Sequence, residues 1–299
     1  MDDRRMRIGI VTVRDVAYHP NRRLLEAAEA RGHQGQLIHP YHSWPAIRKN
    51  QTMVIDPRGQ GACDVLLPRQ GAEVGESSLA LIEHFERTRV PVVNTSTSIR
   101  LARNQYLTLR ALAEAGIPVP DSVLINSQEA LSTAVDAIGG YPVVLKHPSG
   151  RQGEGIRLAD TPEDGRRQLT ELLDPRLGVM VQRFIPPEDR RDIRVLTVGR
   201  KMAGAMALRP AEGDFRANFH LTGRSRPVDV WPEMEDMATG AAAALDLEIA
   251  GVDLLVDSDQ RLWIIEVNYA PGFRGLEAAT GLDVAGIMVD YIVDAYGQK

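Results

Sequence analysis

Three oxygen-bearing side chains near the C-terminus have the types and spacing to hold a hard cation. They fall in the stretch Gly251-Val-Asp-Leu-Leu-Val-Asp-Ser-Asp-Gln-Arg-Leu-Trp-Ile-Ile-Glu-Val-Asn-Tyr-Ala-Pro-Gly272, where two mainly apolar runs, 252–256 and 262–267, flank a polar turn. Such a pattern predicts a β-hairpin of two largely buried strands. A turn centred near Asp259 and Gln260 sets Asp253 opposite Glu266, and Asn268, two residues further on, shares the face of Glu266. Carboxylates directly across an antiparallel pair lie about 5 Å apart and repel, so something positive is expected between them. Asp253, Glu266 and Asn268 offer only hard oxygen ligands, which suit Mg²⁺ or Mn²⁺, and no nearby His or Cys favours zinc. The competing reading is a solvated acidic edge; Trp263, Ile264, Ile265 and Val267 imply a covered sheet instead.

A second group of residues belongs with the first. A strand is predicted over 142–146, a glycine-rich loop over 149–155 (Ser-Gly-Arg-Gln-Gly-Glu-Gly) and a returning strand over 156–158. Gly150, Gly153 and Gly155 permit backbone N–H groups to close over phosphate oxygens. The loop lacks the Gly-Lys-Ser/Thr ending of a P-loop. A lone lysine beside such a loop is ordinarily surface charge. Here Lys146 ends the preceding strand and a metal-type acidic pair stands on another strand, and together they describe a nucleoside triphosphate site.

The elements that must position these groups alternate. A strand at 7–13, a helix at 21–31 closed by Gly32, strands at 36–39 and 64–67, a helix at 78–87 and a strand at 90–93 predict a helix-covered parallel sheet ending near Arg100. No Gly-x-Gly-x-x-Gly turn is present, so this part is expected to bind substrate or serve as scaffold rather than hold a dinucleotide. A helix over 101–115 stops at Gly116 and Pro118, and Thr161 with Pro162 opens another. Strands follow at 179–185, 192–198 and 203–208, then a polar loop, a helix over 233–245, the acidic hairpin and a last helix over 283–296. The fold class is α/β (α+β).

Bulk properties narrow the partners. A chain of 299 residues with 43% hydrophobic content buries a sizeable core in two or three domains. A formal charge of −5 gives no basic footprint, so no nucleic acid is expected; Arg190, Arg191 and Arg194, the densest basic cluster, read as a solvated turn. Cys63 is the single cysteine, which excludes an internal disulfide framework. With no signal-like start and no run of membrane-spanning length, the expected place is the cytoplasm, with no membrane partner.

The residues in order resemble the ATP-grasp superfamily and, within it, the RimK-type α-L-glutamate ligases. The resemblance runs through Leu67-Pro-Arg-Gln-Gly71, Arg110-Ala-Leu-Ala-Glu-Ala-Gly-Ile-Pro118, Val143-Val-Leu-Lys146, Gln152-Gly-Glu-Gly155, Val181-Gln-Arg-Phe-Ile185, Asp192-Ile-Arg194, Glu212-Gly-Asp-Phe-Arg-Ala-Asn218, Gly251-Val-Asp253 and Glu266-Val-Asn-Tyr-Ala-Pro-Gly272. It implies an ATP-grasp fold with an N-terminal substrate domain (1–100), a central lid domain (101–186) and a C-terminal catalytic domain (187–299). ATP and Mg²⁺ are the implied ligands. Lys146, Gly150, Gln152, Gly153, Gln182, the backbone at Arg183 and Phe184, Asp192, Arg216 and Asn218 would hold the nucleotide. Asp253, Glu266 and Asn268 would hold the metal, with Lys146, Arg209 and Arg216 in the catalytic role. The implied reaction is ADP-forming: a carboxylate becomes an acylphosphate, and an amine then displaces phosphate.

This sequence departs from the family pattern at three places. Asn104-Gln105 replaces an Asp-Lys pair, Leu208-Arg209 replaces an Arg pair so that Arg209 must serve alone, and Arg183 replaces a hinge acid. The expected partners are an amino acid and a carboxylate-bearing peptide, protein or small-molecule acceptor, with the chain assembled as a homo-oligomer. Two rivals stand beside this: a nucleotide-binding pseudoenzyme, to which Gln105 and Leu208 point, and a ligase making a dipeptide or glutathione-like product.

Overall fold

The computed structural model describes residues 5–59, 62–71, 74–149, 155–186, 191–208 and 225–297. The β-branched run near the N-terminus forms β1 (Arg7–Val11), followed by α1 (His19–Ala30), whose Leu24, Ala27 and Ala28 are buried. Gly32, at φ +79°, turns the chain into β2 (Gln34–Ile38), parallel to β1. β5 (Val65–Pro68) lies parallel on the other side, giving the order β2-β1-β5. The strand expected at 90–93 is only a bridge between Leu66 and Val92. Pro91 has no N–H to donate, and the chain turns at once toward the next helix.

Between β2 and β5 stands a hairpin that the periodicity did not predict, β3 (Trp44–Arg48) and β4 (Gln51–Ile55). Lys49 and Asn50 both have positive φ, the requirement of a tight two-residue turn. Neither strand buries an alternating face, which removes the usual signal; Ile47 is 83% exposed.

α2 (Glu76–Arg87) precedes what was expected as one helix over 101–115. Two form instead, α3 (Ser96–Ala102) and α4 (Gln105–Glu114). The break falls at Asn104, whose side-chain oxygen accepts from the Leu107 amide at 3.0 Å and caps α4 afresh.

A four-stranded antiparallel sheet follows: β6 (Ser122–Ile125), β7 (Val143–Lys146), β8 (Arg157–Ala159) and β9 (Val179–Arg183), in the order β6-β9-β7-β8. α5 (Ala130–Ala137) and α6 (Pro162–Leu172) cover it, with Leu131, Val135 and Leu169 against Val143, Leu145 and Val181. Thr161 caps α6 as expected, accepting from the Asp164 amide at 3.2 Å.

The largest sheet joins β10 (Arg191–Val198), β11 (Lys201–Leu208), β12 (Ser225–Pro227), β13 (Ile249–Val256) and β14 (Leu262–Asn268) in the order β12-β11-β10-β13-β14, all antiparallel. One face packs on α7 (Pro232–Ala244), where Met234, Ala238 and Ala241 meet Val195, Val252 and Ile264. The other shares a core with α8 (Arg274–Thr280), α9 (Val284–Tyr296) and Ile8 and Ile10 of β1. Gly281, in the left-handed region, ends α8. Among the described residues no helix is long and apolar enough to cross a membrane.

One buried amide ties the N-terminal sheet to both ends of the β13–β14 hairpin. Asn94 donates to the Ile249 and Tyr269 carbonyls at 2.7 and 2.8 Å, and its oxygen accepts from the Glu248 and Ile249 amides at 2.7 and 3.0 Å. Asn94→Ala orphans all four, and at about 1 kcal/mol for each net bond it is expected to lower the unfolding free energy by about 3 kcal/mol or more in urea titrations. A loss below about 1 kcal/mol would mean that water substitutes for the amide.

Candidate active site between two facing sheets

Cross-strand pairing builds the centre of the site. Arg194 on β10 pairs with Asp253 on β13, and Asp253 pairs with Glu266 on β14. The last pairing depends on a bulge. Near the turn the register is Leu254 with Ile264, which carried forward would set Ile265 against Asp253; an extra residue on β14 brings Glu266 there instead. The turn is accordingly centred on Asp259, half a residue earlier than expected, and is closed by Asp257 N–H to the Arg261 carbonyl at 3.0 Å with Gln260 at φ +61°. The bulge also changes the phase of burial. Leu262, Ile264 and Val267 are buried, while Trp263, Ile265, Glu266 and Asn268 are partly exposed.

Arg194 is the positive group that the two carboxylates require. Its Nε and Nη2 donate to the two Asp253 oxygens at 2.6 and 2.5 Å, a bidentate fork. This corrects the solvated-turn reading. β10 already begins at Arg191, and alternation sends Ile193 and Val195 into the core beneath α7 and Arg194 to the opposite face. Arg191 sits at the exposed strand start, 5.3 Å from the Trp231 ring centre, and Arg190 lies outside the described residues. The signal for Arg194 was present in the Asp192-Ile-Arg194 alternation and in the demand for a cation between the acids.

The electrostatics follow from burial. Burial opposes the charged Arg194 guanidinium, yet the charge and hydrogen bonds of Asp253, with Glu266 further off, outweigh it and raise its pKa. Burial raises the Glu266 carboxyl, and Asp253 adds to that; Arg194 and Lys146 oppose it. Lys146, at the end of β7 on the facing sheet and 7% exposed, is pushed by burial down to about 8, with the Glu266 charge resisting. Lys146, Glu266, Asp253 and Arg194 therefore form a row with a cation at each end and the two carboxylates between, bridging the two sheets.

The remaining expected residues are placed as follows. Arg183 stacks over Trp263 at 4.6 Å and approaches Asp121 at 3.6 Å, closing β9 onto β14. Its amide donates to the Asp121 carbonyl at 2.9 Å, so a ligand reading that backbone would have to take the N–H from Asp121. Phe184 follows it directly. Gln182 is buried with its amide on Ser122 Oγ at 2.9 Å, a bond along the sheet rather than into the cleft. Asp192 is buried two residues before Arg194 on the same strand face. The Asn268 side-chain oxygen accepts from the Ala270 amide at 2.9 Å. The Gln105 backbone amide donates to the Pro148 carbonyl at 2.6 Å, just before the glycine-rich stretch in sequence, and its buried side-chain Oε1 has no partner among the described residues. Gly150, Gln152, Gly153, Arg209, Arg216 and Asn218 lie outside the described residues.

The donor set fits a hard cation. Glu266 and Asn268 present oxygen, and each Asp253 oxygen retains a lone pair beyond its bond to Arg194. A cation beside Glu266 would relieve the environment that holds its pKa up. Among the described residues no three His, Cys, Asp or Glu cluster as a cage, which suits Mg²⁺ bound by one or two carboxylates together with phosphates.

A stability test needs no ligand. Because the folded pKa of Glu266 is raised above its ordinary value of 4.5, the folded state holds the proton longer, and stability is lost as pH rises through that window. Glu266→Gln is expected to unfold at higher denaturant than the natural chain at pH 7 to 8, with the gap closing below pH 4.5. A variant less stable at pH 8 would mean that attraction to Lys146 and Arg194 outweighs the burial of the charge.

Comparison with known proteins agrees with this geometry. Residues 6–99 match the model of the RimK PreATP-grasp domain and residues 102–292 that of the RimK-like ATP-grasp domain. A probable alpha-L-glutamate ligase of Aliivibrio salmonicida is 36% identical over 289 residues, 96% of this chain and 95% of that protein. Another of the same name, from Pseudoalteromonas translucida, is 35% identical over 98% of this chain and 97% of its own. Among solved structures, a RimK-domain ATP-grasp protein of Sphaerobacter thermophilus superposes with a TM-score of 0.75 at 25% identity, over 95% of this chain and 98% of that one. The ATP-grasp ligase PsnB, complexed with a minimal precursor, Mg and ADP, gives 0.72 at 18% identity, over 98% of each chain, a likeness of fold. The chain belongs to the RimK-like ATP-grasp family.

Proposed function

We propose that the cleft between the four-stranded sheet and the β13–β14 hairpin binds ATP, and that the chain is an ATP-dependent carboxylate–amine ligase. It would add an amino acid such as glutamate to a peptide, protein or small metabolite. The observation that carries this is the row Lys146, Glu266, Asp253, Arg194, which sets a buried cation and two carboxylates across facing sheets. A substrate carboxylate oxygen attacks the γ-phosphorus, the bond to the bridging oxygen breaks, and ADP leaves. The amine then attacks the acyl carbon of the acylphosphate, loses a proton and expels inorganic phosphate.

Mg²⁺, or Mn²⁺, held by Asp253, Glu266 and Asn268, would when bound neutralise charge on the phosphates. Arg194 grips Asp253 through both oxygens and fixes its direction. Lys146, desolvated, meets a phosphate oxygen more strongly than a solvated lysine would. Arg209, Arg216, Asn218, Gly150, Gln152 and Gly153 complete the proposed triphosphate site, with Asp192 and the backbone at Arg183 and Phe184 on the nucleoside. Gln182 contributes by holding β6 against β9. The division into a substrate domain (1–100), a lid (101–186) and a catalytic domain (187–299) belongs to the same proposal, as does a cytoplasmic location. The exposed apolar hairpin with Trp44, Ile47 and Ile55 supports assembly as a homo-oligomer.

Two measurements test the reading. With the Lys146 pKa near 8, ATP affinity by calorimetry is expected to fall as pH rises through that value, since the phosphates need the protonated amine. Lys146→Met, which keeps the buried stem, should bind about tenfold to a hundredfold more weakly at pH 7 and show no such fall; an identical pH profile would remove Lys146 from the site. Glu266→Gln should lower Mg²⁺-dependent phosphate release by about 10²- to 10³-fold while folding normally, and undiminished turnover would exclude the carboxylate from the chemistry.

A further inference from the structure

The corner at the end of β5 carries charge and polarity that the ATP site does not use. Arg69 is 7% exposed and Gln70 1% exposed. Arg69 Nη2 donates to the Pro271 carbonyl at 2.5 Å, three residues beyond Asn268. Among the described residues its Nε has no partner, and neither polar side-chain atom of Gln70 has one. A guanidinium offers five N–H donors, and among the described residues no carboxylate pairs with this one. Burying a cation with no anion is strongly disfavoured, and a neutral donor would suffice to tie β5 to Pro271. Burial pushes the Arg69 pKa down to about 10, opposed among the described residues by Tyr18.

Topology independently singles out the same place. In the order β2-β1-β5 the chain leaves β1 toward β2 on one side and returns to β5 on the other, so β1 and β5 flank the switch point of this parallel sheet. Ligands of open parallel sheets bind outside the carboxyl ends of the strands at such a point. The Arg69 amide donates to the Val11 carbonyl at 2.8 Å, which seats Arg69 at that crevice, with the Phe273 ring 5.8 Å from its guanidinium carbon.

We propose that Arg69 and Gln70, at the carboxyl ends of β1 and β5, form the subsite for the α-carboxylate of the amino-acid substrate, which supplies the amine and keeps its own carboxylates unphosphorylated. This rests on the ligase reading. A carboxylate gripped by a guanidinium is neutralised and is a poor nucleophile toward phosphorus, which suits a substrate whose carboxylates stay spectators, and the α-carboxylate is the one beside the ammonium for which Gln70 offers an acceptor. The link through Pro271 to Asn268 places that subsite beside the acidic hairpin. Gln70 supplies a donor to the carboxylate and an acceptor for the ammonium of the same amino acid.

The test titrates L-glutamate, its α-carboxamide and its γ-carboxamide into the full chain, with and without a non-hydrolysable ATP analogue and Mg²⁺, by calorimetry. The natural chain is expected to bind L-glutamate and the γ-amide well and the α-amide about tenfold to a hundredfold more weakly. Arg69→Met should lose that factor for L-glutamate and no longer discriminate against the α-amide, while nucleotide affinity stays within about twofold. Arg69→Lys, which keeps charge and reach, should fall between and guards against a general loss of folding, checked by the thermal midpoint. Equal L-glutamate affinity in the natural chain and Arg69→Met, a natural chain indifferent to the α-amide, or a natural chain that binds nucleotide but no L-glutamate overturns the assignment. Failure to bind nucleotide would instead fail the ligase reading, with the Arg69 subsite still judged by the amino-acid titrations alone.

Discussion

Two carboxylates facing each other across buried strands set the constraint that the rest of this structure answers. Asp253 and Glu266 are fixed by sheet register and cannot move apart without breaking the ladder. The fold supplies one cation from within the sheet and one from outside it. Arg194, on the neighbouring strand, grips Asp253 through both oxygens and gives that acid a fixed direction. Glu266 receives no such grip, and its remaining compensation comes from Lys146 on the other sheet. The consequence is an asymmetric pair, one acid gripped and oriented by a guanidinium, the other poised for a further positive charge. Because Lys146 belongs to β7, the charge balance of the hairpin also binds the smaller sheet electrostatically to the larger, and the Arg183–Trp263 stack does the same through contact.

Pairing of Asp253 with Glu266 was legible in the sequence, but through two offsetting departures. The turn lies closer to Asp257 than the composition suggests, which alone would have misaligned the acids, and the bulge on β14 restores them. Periodicity could not reveal that extra residue, since a bulge leaves no mark in a run of apolar side chains. Strands buried on both faces, such as β1, β7 and β13, were found where continuous apolar runs predict them. The hairpin at β3 and β4 escaped because both of its faces meet solvent, and the split between α3 and α4 escaped because apolar spacing continues across it. Asn104 carried the information there: a capping side chain outweighs periodicity, and its carboxamide restarts the helix. Arg194 was overlooked because neighbouring arginines made a surface cluster the simpler reading, whereas strand phase separates Arg194 from Arg191.

The departures from the family pattern have structural settings of their own. Leu208 is buried in the core shared with Phe273 and Leu276, so an apolar residue there strengthens packing against α8 rather than leaving a gap in a charged surface. Arg183 in place of a hinge acid gains the face of Trp263, an interaction that an acid could not make. Gln105 joins the first turn of α4 to Pro148 by its backbone, a tie independent of the side chain, so the base of the glycine-rich loop is held whether or not a lysine stands there. What glutamine changes is confined to its own amide, whose buried oxygen lacks a partner among the described residues. These replacements alter local charge while leaving the row from Lys146 to Arg194 intact.

The segment just beyond Asn268 connects the acids to the N-terminal sheet by three independent routes. The Tyr269 hydroxyl donates to the Gly71 carbonyl at 2.6 Å, its own carbonyl accepts from Asn94, and Pro271 accepts from Arg69. All three N-terminal partners lie at or near the carboxyl ends of the parallel sheet, the edge at which such sheets bind ligands. A displacement of that edge therefore cannot be absorbed by a flexible linker; it passes within a few residues to Asn268 and Glu266. Binding at the sheet edge and charge arrangement in the cleft are thus mechanically one problem. This coupling accounts for a buried arginine in the stretch that joins them, since a bond to a backbone carbonyl fixes position on one side of the guanidinium while the other side keeps its donors for whatever anion arrives.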